Sequence, residues 1–222
     1  MSRKLLSQEN QSQFQLQLWE HFINDKKEYE IVMNGVFLMA SYNHLSSELL
    51  LRIAIQKIQS GAYLDILIGG LGMGYTVAEA CSYDQVRSID VVEIEPLIIT
   101  WNRAYFKDSN QNCLADERVS LIKADFYDYI LNTDENYDVI CLDIDNGPLL
   151  LVKESNRRVY EDTFLLEVKK NLKPGALFCL WAGSEDHDLF HSMKMIFANC
   201  WVEEVIEWHQ NREVIYYLYF AQ

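Results

Sequence analysis

Basic side chains are scarce in this chain of 222 residues: 19 lysines and arginines stand against 33 aspartates and glutamates, a formal net charge of −14 at neutral pH. That balance argues against a polyanion, whether nucleic acid or anionic membrane, as the main partner, and is compatible with a small cationic substrate. Cysteine occurs five times (Cys81, Cys113, Cys141, Cys179, Cys200) but never as a CxxC pair, which argues against metal fingers and a disulfide framework. Cys141 and Cys179 sit inside apolar runs as small hydrophobes; no metal site is expected, and the expected compartment is the reducing cytoplasm. No apolar run approaches the ~18 residues needed to span a bilayer. The basic start Met1-Ser2-Arg3-Lys4-Leu5-Leu6 gives way to glutamine and asparagine instead of a signal-peptide core. Repeats, low-complexity tracts and Pro/Gly-rich linkers are missing as well. Half the residues are apolar and 23% are charged, a globular and not a disordered profile.

What is present divides into an extension, residues 1–62, and an α/β part, residues 63–222. In the extension, Phe14, Leu18 and Phe22 recur every four residues and predict a polar helix with one apolar stripe. Asn34-Gly35 between Glu30-Ile31-Val32-Met33 and Val36-Phe37-Leu38-Met39 predicts a two-residue β-hairpin, because both turn positions need positive φ. A helix from about His44 to Gln59 follows, with Gly61 as its stop. From Leu64 onward strands and helices alternate. Strands are expected at 64–68, 86–92, 119–122, 137–142 and 176–181, with helices between them. Pro96 opens one of these helices and Lys173-Pro174-Gly175 stops another. The last two strands, 202–208 and 214–220, are joined by His209-Gln210-Asn211-Arg212, a link too short for a parallel crossover. The expectation is a doubly wound, seven-stranded, mostly parallel sheet with an antiparallel C-terminal hairpin and a small N-terminal helix and β-hairpin extension. Such a sheet binds its ligand outside the carboxyl ends of its strands.

Those ends carry chemistry. The first parallel strand runs into Gly69-Gly70-Leu71-Gly72-Met73-Gly74 and then a helix. Four glycines in six residues exceed what a packing turn requires, and they let backbone approach a ligand. The second ends at Glu93-Ile94-Glu95-Pro96; Glu93 lies about 20 residues past the loop, the interval of a ribose-binding acid, while Glu95 precedes a proline and is expected to cap the next helix. After the third, Asp125 is placed either to accept from an adenine amine, with Phe126 as a flat apolar wall, or to cap the following helix. After the fourth come Asp143 and Asp145, two carboxylates before an Asn146-Gly147-Pro148 turn, with Asp145 one period-two step on and able to share the face of Asp143. Tyr160 and Trp181 are candidate walls of an acceptor pocket. His44 and His187 receive no role.

This constellation resembles the class I S-adenosylmethionine-dependent transferase fold, and more narrowly its spermidine-synthase-like branch. The resemblance rests on the segments Ile68 to Gly74, Val91 to Glu95, Asp116 to Val119 with Lys123-Ala124-Asp125, Tyr137 to Asp143, and Leu172 to Gly175. It implies that Gly69, Gly70, Gly72, Gly74, Glu93, Ile94, Asp125 and Phe126 bind S-adenosylmethionine, its decarboxylated form or methylthioadenosine. It also implies that Asp143, with Asp145 beside it, is the catalytic aspartate that holds and deprotonates an attacking amine, and that the protein is a dimer. The chain departs from the branch in three places. Gly72 stands where polyamine synthases carry an aspartate (GGGDGG), the loop after the fourth strand is shortened, and Ser46-Ser47 replaces a Tyr-Gln pair. Loss of the loop aspartate removes one reason to prefer the decarboxylated donor. The expected function is transfer of a methyl or aminopropyl group to a small, amine-bearing acceptor. The alternatives are a non-catalytic adenosyl-metabolite-binding protein and a nicotinamide-dependent oxidoreductase.

Overall fold

The structure is a computed structural model and describes residues 3–10, 15–58, 63–209 and 212–222. Two sheets organise it. The first is a four-stranded antiparallel meander, β1 (Arg3–Asn10), β2 (Gln15–Ile23), β3 (Lys26–Met33) and β4 (Val36–Ala40). The hairpin predicted at Asn34-Gly35 is there, with φ of 53° and 78°. The helix predicted through Phe14, Leu18 and Phe22 is not. Phe14 lies outside the described residues, and Leu18 and Phe22 belong to β2. A spacing of four also satisfies the two-residue period of a strand, and here Leu16 and Leu18 are buried while Phe22 faces solvent. The turn that pairs β2 with β3 is Asn24-Asp25, both at positive φ, a weaker local signal than Asn34-Gly35 because it contains no glycine.

Helix α1 (Leu45–Lys57) leads into the second sheet; Gly61 lies outside the described residues, as does the expected boundary at 62. The second sheet contains β5 (Leu64–Gly69), β6 (Val86–Glu93), β7 (Val119–Lys123), β8 (Tyr137–Leu142), β9 (Leu172–Ala182), β10 (Cys200–His209) and β11 (Arg212–Ala221). Its order is β10-β11-β9-β8-β5-β6-β7: the pairs among β5 to β9 are parallel, and β11 enters antiparallel between β9 and β10. The crossovers carry α2 (Tyr75–Cys81), α3 (Pro96–Trp101), α4 (Phe126–Asn132), α5 (Asp162–Lys170) and α6 (His187–Ile196). This is the expected α/β architecture. Lys173-Pro174-Gly175, predicted as a helix stop, follows the end of α5 and opens β9.

The central strands read as continuous apolar runs because both faces are covered. Ile66, Leu67, Ile68, Val139, Ile140 and Cys141 have no exposed surface. One core joins both sheets: Leu16, Leu18, Ile31 and Met33 of the meander belong to the same buried cluster as Leu50, Leu51, Ile66 and Ile68. Charge is gathered at the opposite, amino ends of the strands. There Asp65 accepts from Arg87 (2.9 and 2.5 Å), Ser88 (2.6 Å) and Lys173 (2.5 Å), and Lys173 also reaches Asp138 at 2.7 Å. These contacts hold Asp65 well below the usual carboxylate range against the upward push of its burial. Among the described residues no helix is long and apolar enough to cross a membrane.

Candidate active site

The sheet order reverses at β5, which has β6 on one side and β8 on the other. An open α/β sheet parts its crossovers at such a switch point and leaves a crevice. A cavity of about 870 Å³ lies there, open and not plugged by side chains. The strand tips line it in spatial order: Asp125 and Phe126 after β7, Glu93, Ile94 and Glu95 at β6, Gly70, Leu71 and Gly72 after β5, Asp143 and Asp145 after β8, then Trp181 at β9 and Tyr216 on β11. Met33, Phe37 and Met39 of the meander roof it.

The glycine loop is braced by buried side chains and packed closely against its neighbours, which explains the glycines. Gly70, Gly72 and Gly74 have φ of 94°, 51° and 86°, which residues with a Cβ rarely adopt. A Cβ on Gly74 would stand 2.7 Å from the Asn110 amide, and one on Gly69 would stand 2.6 Å from the ring of Phe126. Neither Gly69 nor Gly74 lines the cavity; both let the loop pack. From beneath, the buried amide of Asn102 donates to the Gly72 carbonyl (2.7 Å) and that of Asn110 to the Met73 carbonyl (2.9 Å). Asn102 opens a π-helical turn, residues 102–106, that continues α3, an irregularity that sequence periodicity does not reveal.

Glu93 is almost fully buried at the tip of β6. It accepts from the backbone N–H of Leu71 (3.0 Å) and of Glu95 (2.7 Å), so it ties the loop to the strand beside it. Burial raises its pKa; the two amides oppose that. Each carboxylate oxygen keeps a lone pair for a further donor. Glu95 occupies the N-cap position of α3 without capping it by its side chain, which pairs instead with Lys153 at the cavity wall. Asp125 does cap α4, accepting from the Tyr127 N–H at 2.9 Å, and also takes a 2.6 Å bond from Arg158.

Asp143 and Asp145 differ in use. Asp143, partly buried, accepts from the Thr76 hydroxyl at 3.1 Å and from the Ser47 hydroxyl. Burial raises its pKa above the ordinary value, and the two hydroxyls hold part of that rise back. Asp145 turns into its own loop and accepts from the N–H of Asn146 (2.7 Å), the N–H of Val152 (2.8 Å) and the Asn156 amide (2.7 Å). It does not share its hydrogen-bonding with Asp143. Trp181 lines the cavity and packs on Tyr216, ring centres 5.0 Å apart. Tyr160 does not line it; it is buried in the core formed by Tyr137, Phe164 and Leu180.

Sequence reasoning missed Thr76, Asn43, Lys153, Arg158 and Tyr216. Only the cluster Lys153, Arg157, Arg158, basic residues in an acidic chain, carried a usable signal. Asn43 donates to the Tyr216 hydroxyl at 2.6 Å across 173 residues of chain, a contact that no local pattern foretells.

Putrescine N-methyltransferase 2 of Nicotiana attenuata is 29% identical over 205 residues, 84% of this chain and 52% of its own length. The polyamine aminopropyltransferase of Sulfolobus acidocaldarius is 27% identical over 141 residues, 61% of this chain and 46% of its own. The chain spans about half the length of the curated relatives it matches. The crystal structure of spermidine synthase from Thermotoga maritima superposes with a TM-score of 0.77 at 16% identity, over 98% of this chain and 72% of that one, a likeness of fold. The spermine/spermidine synthase domain matches residues 43–211, and the chain belongs to that family.

Proposed function

We propose that the protein transfers a methyl or aminopropyl group from an adenosyl sulfonium donor to a small amine. The observation that carries this is the pairing, in one cavity, of a hydroxyl-backed acid, Asp143, with a second buried acid, Glu93, across a braced glycine loop. The cavity volume is large enough for an adenosine with room for an acceptor, and its donor-side walls fit one. Glu93 would hold the ribose hydroxyls, Phe126 and Ile94 would flank the base, and Asp125 would accept from the adenine amine while it caps α4. Gly70, Leu71 and Gly72 would lie along the donor's tail. When bound, S-adenosylmethionine or its decarboxylated form supplies a carbon activated by the positive sulfur.

The chain's residues do the rest. At neutral pH an amine is protonated and has no free electron pair. Asp143 attracts the ammonium and takes its proton; the freed pair on nitrogen then forms the new C–N bond as the C–S electrons return to sulfur. Because burial moves its pKa up toward the working range, Asp143 is a better base than an exposed aspartate. Asp145 orders the loop that carries this wall. At Gly72, where a Cβ would stand 2.8 Å from the Met39 sulfur, no carboxylate holds the tail amine of a decarboxylated donor, which supports methyl transfer from intact S-adenosylmethionine. The named activities of the two relatives, one on putrescine and one on polyamines, support an amine acceptor. Five unpaired thiols support a reducing compartment.

Calorimetry with S-adenosylmethionine, its decarboxylated form and methylthioadenosine, followed by mass spectrometry of amine products, tests the proposal. Binding of a donor and product formation abolished in Asp143→Asn are expected. Donor binding with no product from any amine would make this a metabolite-binding protein and overturn the transferase reading.

A further inference from the structure

Helix α1 meets the cavity with its first turn. Asn43, Ser46 and Ser47 line the wall beyond Asp143, beside Trp181 and Tyr216, on the side from which an acceptor would reach the donor. This turn is tied to Asp143. The Ser47 hydroxyl donates to the carboxylate, and the Thr76 hydroxyl stands 3.1 Å from Asp143 and 3.4 Å from the Ser47 carbonyl. A hydroxyl has one proton to give. How Thr76 divides that proton, and whether Ser47 reaches Asp143, depends on where the first turn of α1 stands.

The turn is not held by its own sequence. The first N–H groups of a helix have no partner within it, and His44, at the N-cap position, makes no capping bond with its side chain. The partner comes from 161 residues away. Glu207, a buried carboxylate on β10, accepts from the Ser46 N–H at 2.8 Å. Beside it, Tyr216 of β11 accepts from the Asn43 amide at 2.6 Å. The C-terminal hairpin thus grips the entry to α1 at two points, and its Val205, Tyr216 and Leu218 share one core with Leu50 and Leu51 of the helix. Glu207 does not line the cavity, so it does not meet a substrate. Burying a carboxylate is a costly way to cap a helix that a serine or aspartate at position 44 would cap locally.

Resting on the transferase reading, we infer that Glu207 is a positioning residue: by holding the Ser46 N–H it sets the first turn of α1 so that the Ser47 hydroxyl meets Asp143. The direct effect of its charge has the opposite sign. A nearby negative charge opposes ionisation of Asp143, so removing that charge alone would lower the pKa, whereas losing the Ser47 bond raises it. The ionisable groups set against Asp143 are Cys141 on its own strand and Tyr160 from the turn Glu154–Tyr160; burial pushes both up, and they stay neutral through the titration.

The test follows the Asp143 carboxyl by carbon-13 NMR against pH in the whole protein, the signal being assigned by its loss in Asp143→Asn. Glu207→Ala is expected to raise the Asp143 pKa by about half a unit to two units, at most the weight of one hydrogen bond to a charged group. Ser47→Ala raises it at least as far, and the double variant goes no further than Ser47→Ala alone. Glu207→Gln keeps an acceptor for Ser46 and does not raise it. Glu207→Asp keeps the charge, withdraws the acceptor by one methylene and raises it; this milder variant decides the matter if Glu207→Ala does not fold. Calorimetry with S-adenosylmethionine finds donor binding by Glu207→Asp within a few-fold of the parent's. An Asp143 pKa that stays or falls in both Glu207→Ala and Glu207→Asp overturns the inference and leaves the transferase reading intact. A parent protein that binds no adenosyl donor overturns the transferase reading, whatever the titration gives.

Discussion

Replacing Thr76 by valine removes one hydroxyl from the carboxylate proposed as the base and changes almost nothing else in volume. In the folded protein Asp143 is pulled in two directions: burial raises its pKa, and the hydroxyls of Thr76 and Ser47 lower it. A hydrogen bond to a charged group contributes about 1.5–3 kcal/mol. One pKa unit corresponds to about 1.4 kcal/mol, so Thr76→Val raises Asp143 by roughly one to two units. In the proposed mechanism the ionised carboxylate is the active form, so the acidic limb of kcat/KM against pH is expected to move up by that amount. The plateau above it stays within a few-fold, and Thr76→Ser restores the limb. Stability obeys the same linkage. A carboxylate raised by burial contributes most to folding when protonated, and that contribution falls as pH rises through the folded pKa. The variant deepens the fall, so its melting temperature trails the parent's above the limb and converges with it below. A limb that does not move while the plateau drops at every pH would refute the assignment of Thr76 as the residue that tunes Asp143.

Other positions give sharper structural tests. Gly74→Ala combines a left-handed φ with a Cβ 2.7 Å from the Asn110 amide, and denaturant unfolding is expected to show a loss of about 2–4 kcal/mol; a neutral result would show that the loop yields. Asn110→Ala leaves the buried Met73 carbonyl and the Asn102 side chain each short of a donor, at about 1–3 kcal/mol of stability, and calorimetry should find weaker donor binding in molecules that still fold. Asp65→Asn removes the carboxylate partner of Arg87 and one of the two partners of Lys173, which keeps Asp138, far from the cavity. Because Asp65 is held low, its stabilisation is present above the ordinary carboxylate pKa and lost as pH falls through the folded value. The variant's deficit of about 2 kcal/mol should therefore vanish in acid, with turnover at neutral pH unchanged.

The parallel sheet was legible because its strands are buried on both faces and read as apolar runs, and because Asn-Gly, proline and glycine punctuate them at local positions. The strand tips were legible for the same reason: a charged residue ending an apolar run has few places to go, as Glu93 and Asp143 show. Of the amino-terminal strands, β3 and β4 were legible from Asn34-Gly35, but β2 was not, because Leu18 and Phe22 fit two periods and only pairing of β2 with β1 and β3 decides between them. Asp125 shows a finer limit. Sequence offered two roles, and the structure shows the cap while leaving the same side chain at the cavity wall. Asp145 shows the converse, since alternation along an extended strand does not survive the turn at Asn146-Gly147 that bends its carboxylate back to Val152 and Asn156. Thr76, Asn102, Asn110 and Tyr216 work through contacts made only once distant segments meet.

The two halves of the cavity are built from different material. The half proposed for the donor is built around backbone: the loop amide of Leu71 on Glu93, loop carbonyls on Asn102 and Asn110, and a Gly70 whose missing Cβ lets the Asp143 carbonyl approach to 2.1 Å of where that atom would be. A Cβ at Gly70 or Gly74 moves chain that is packed against its neighbours, and the cost appears as lost stability. The acceptor half beyond Asp143 is mostly side chain. Trp181 and Tyr216 stand on strands whose backbones are fixed by β8 and β10, and Asn43 and Ser46 sit at the entry to α1. Their exchange alters what the wall attracts without displacing the loop. On the proposed reading, the braced loop is the fixed part of the cavity and the wall of side chains beyond Asp143 the exchangeable part.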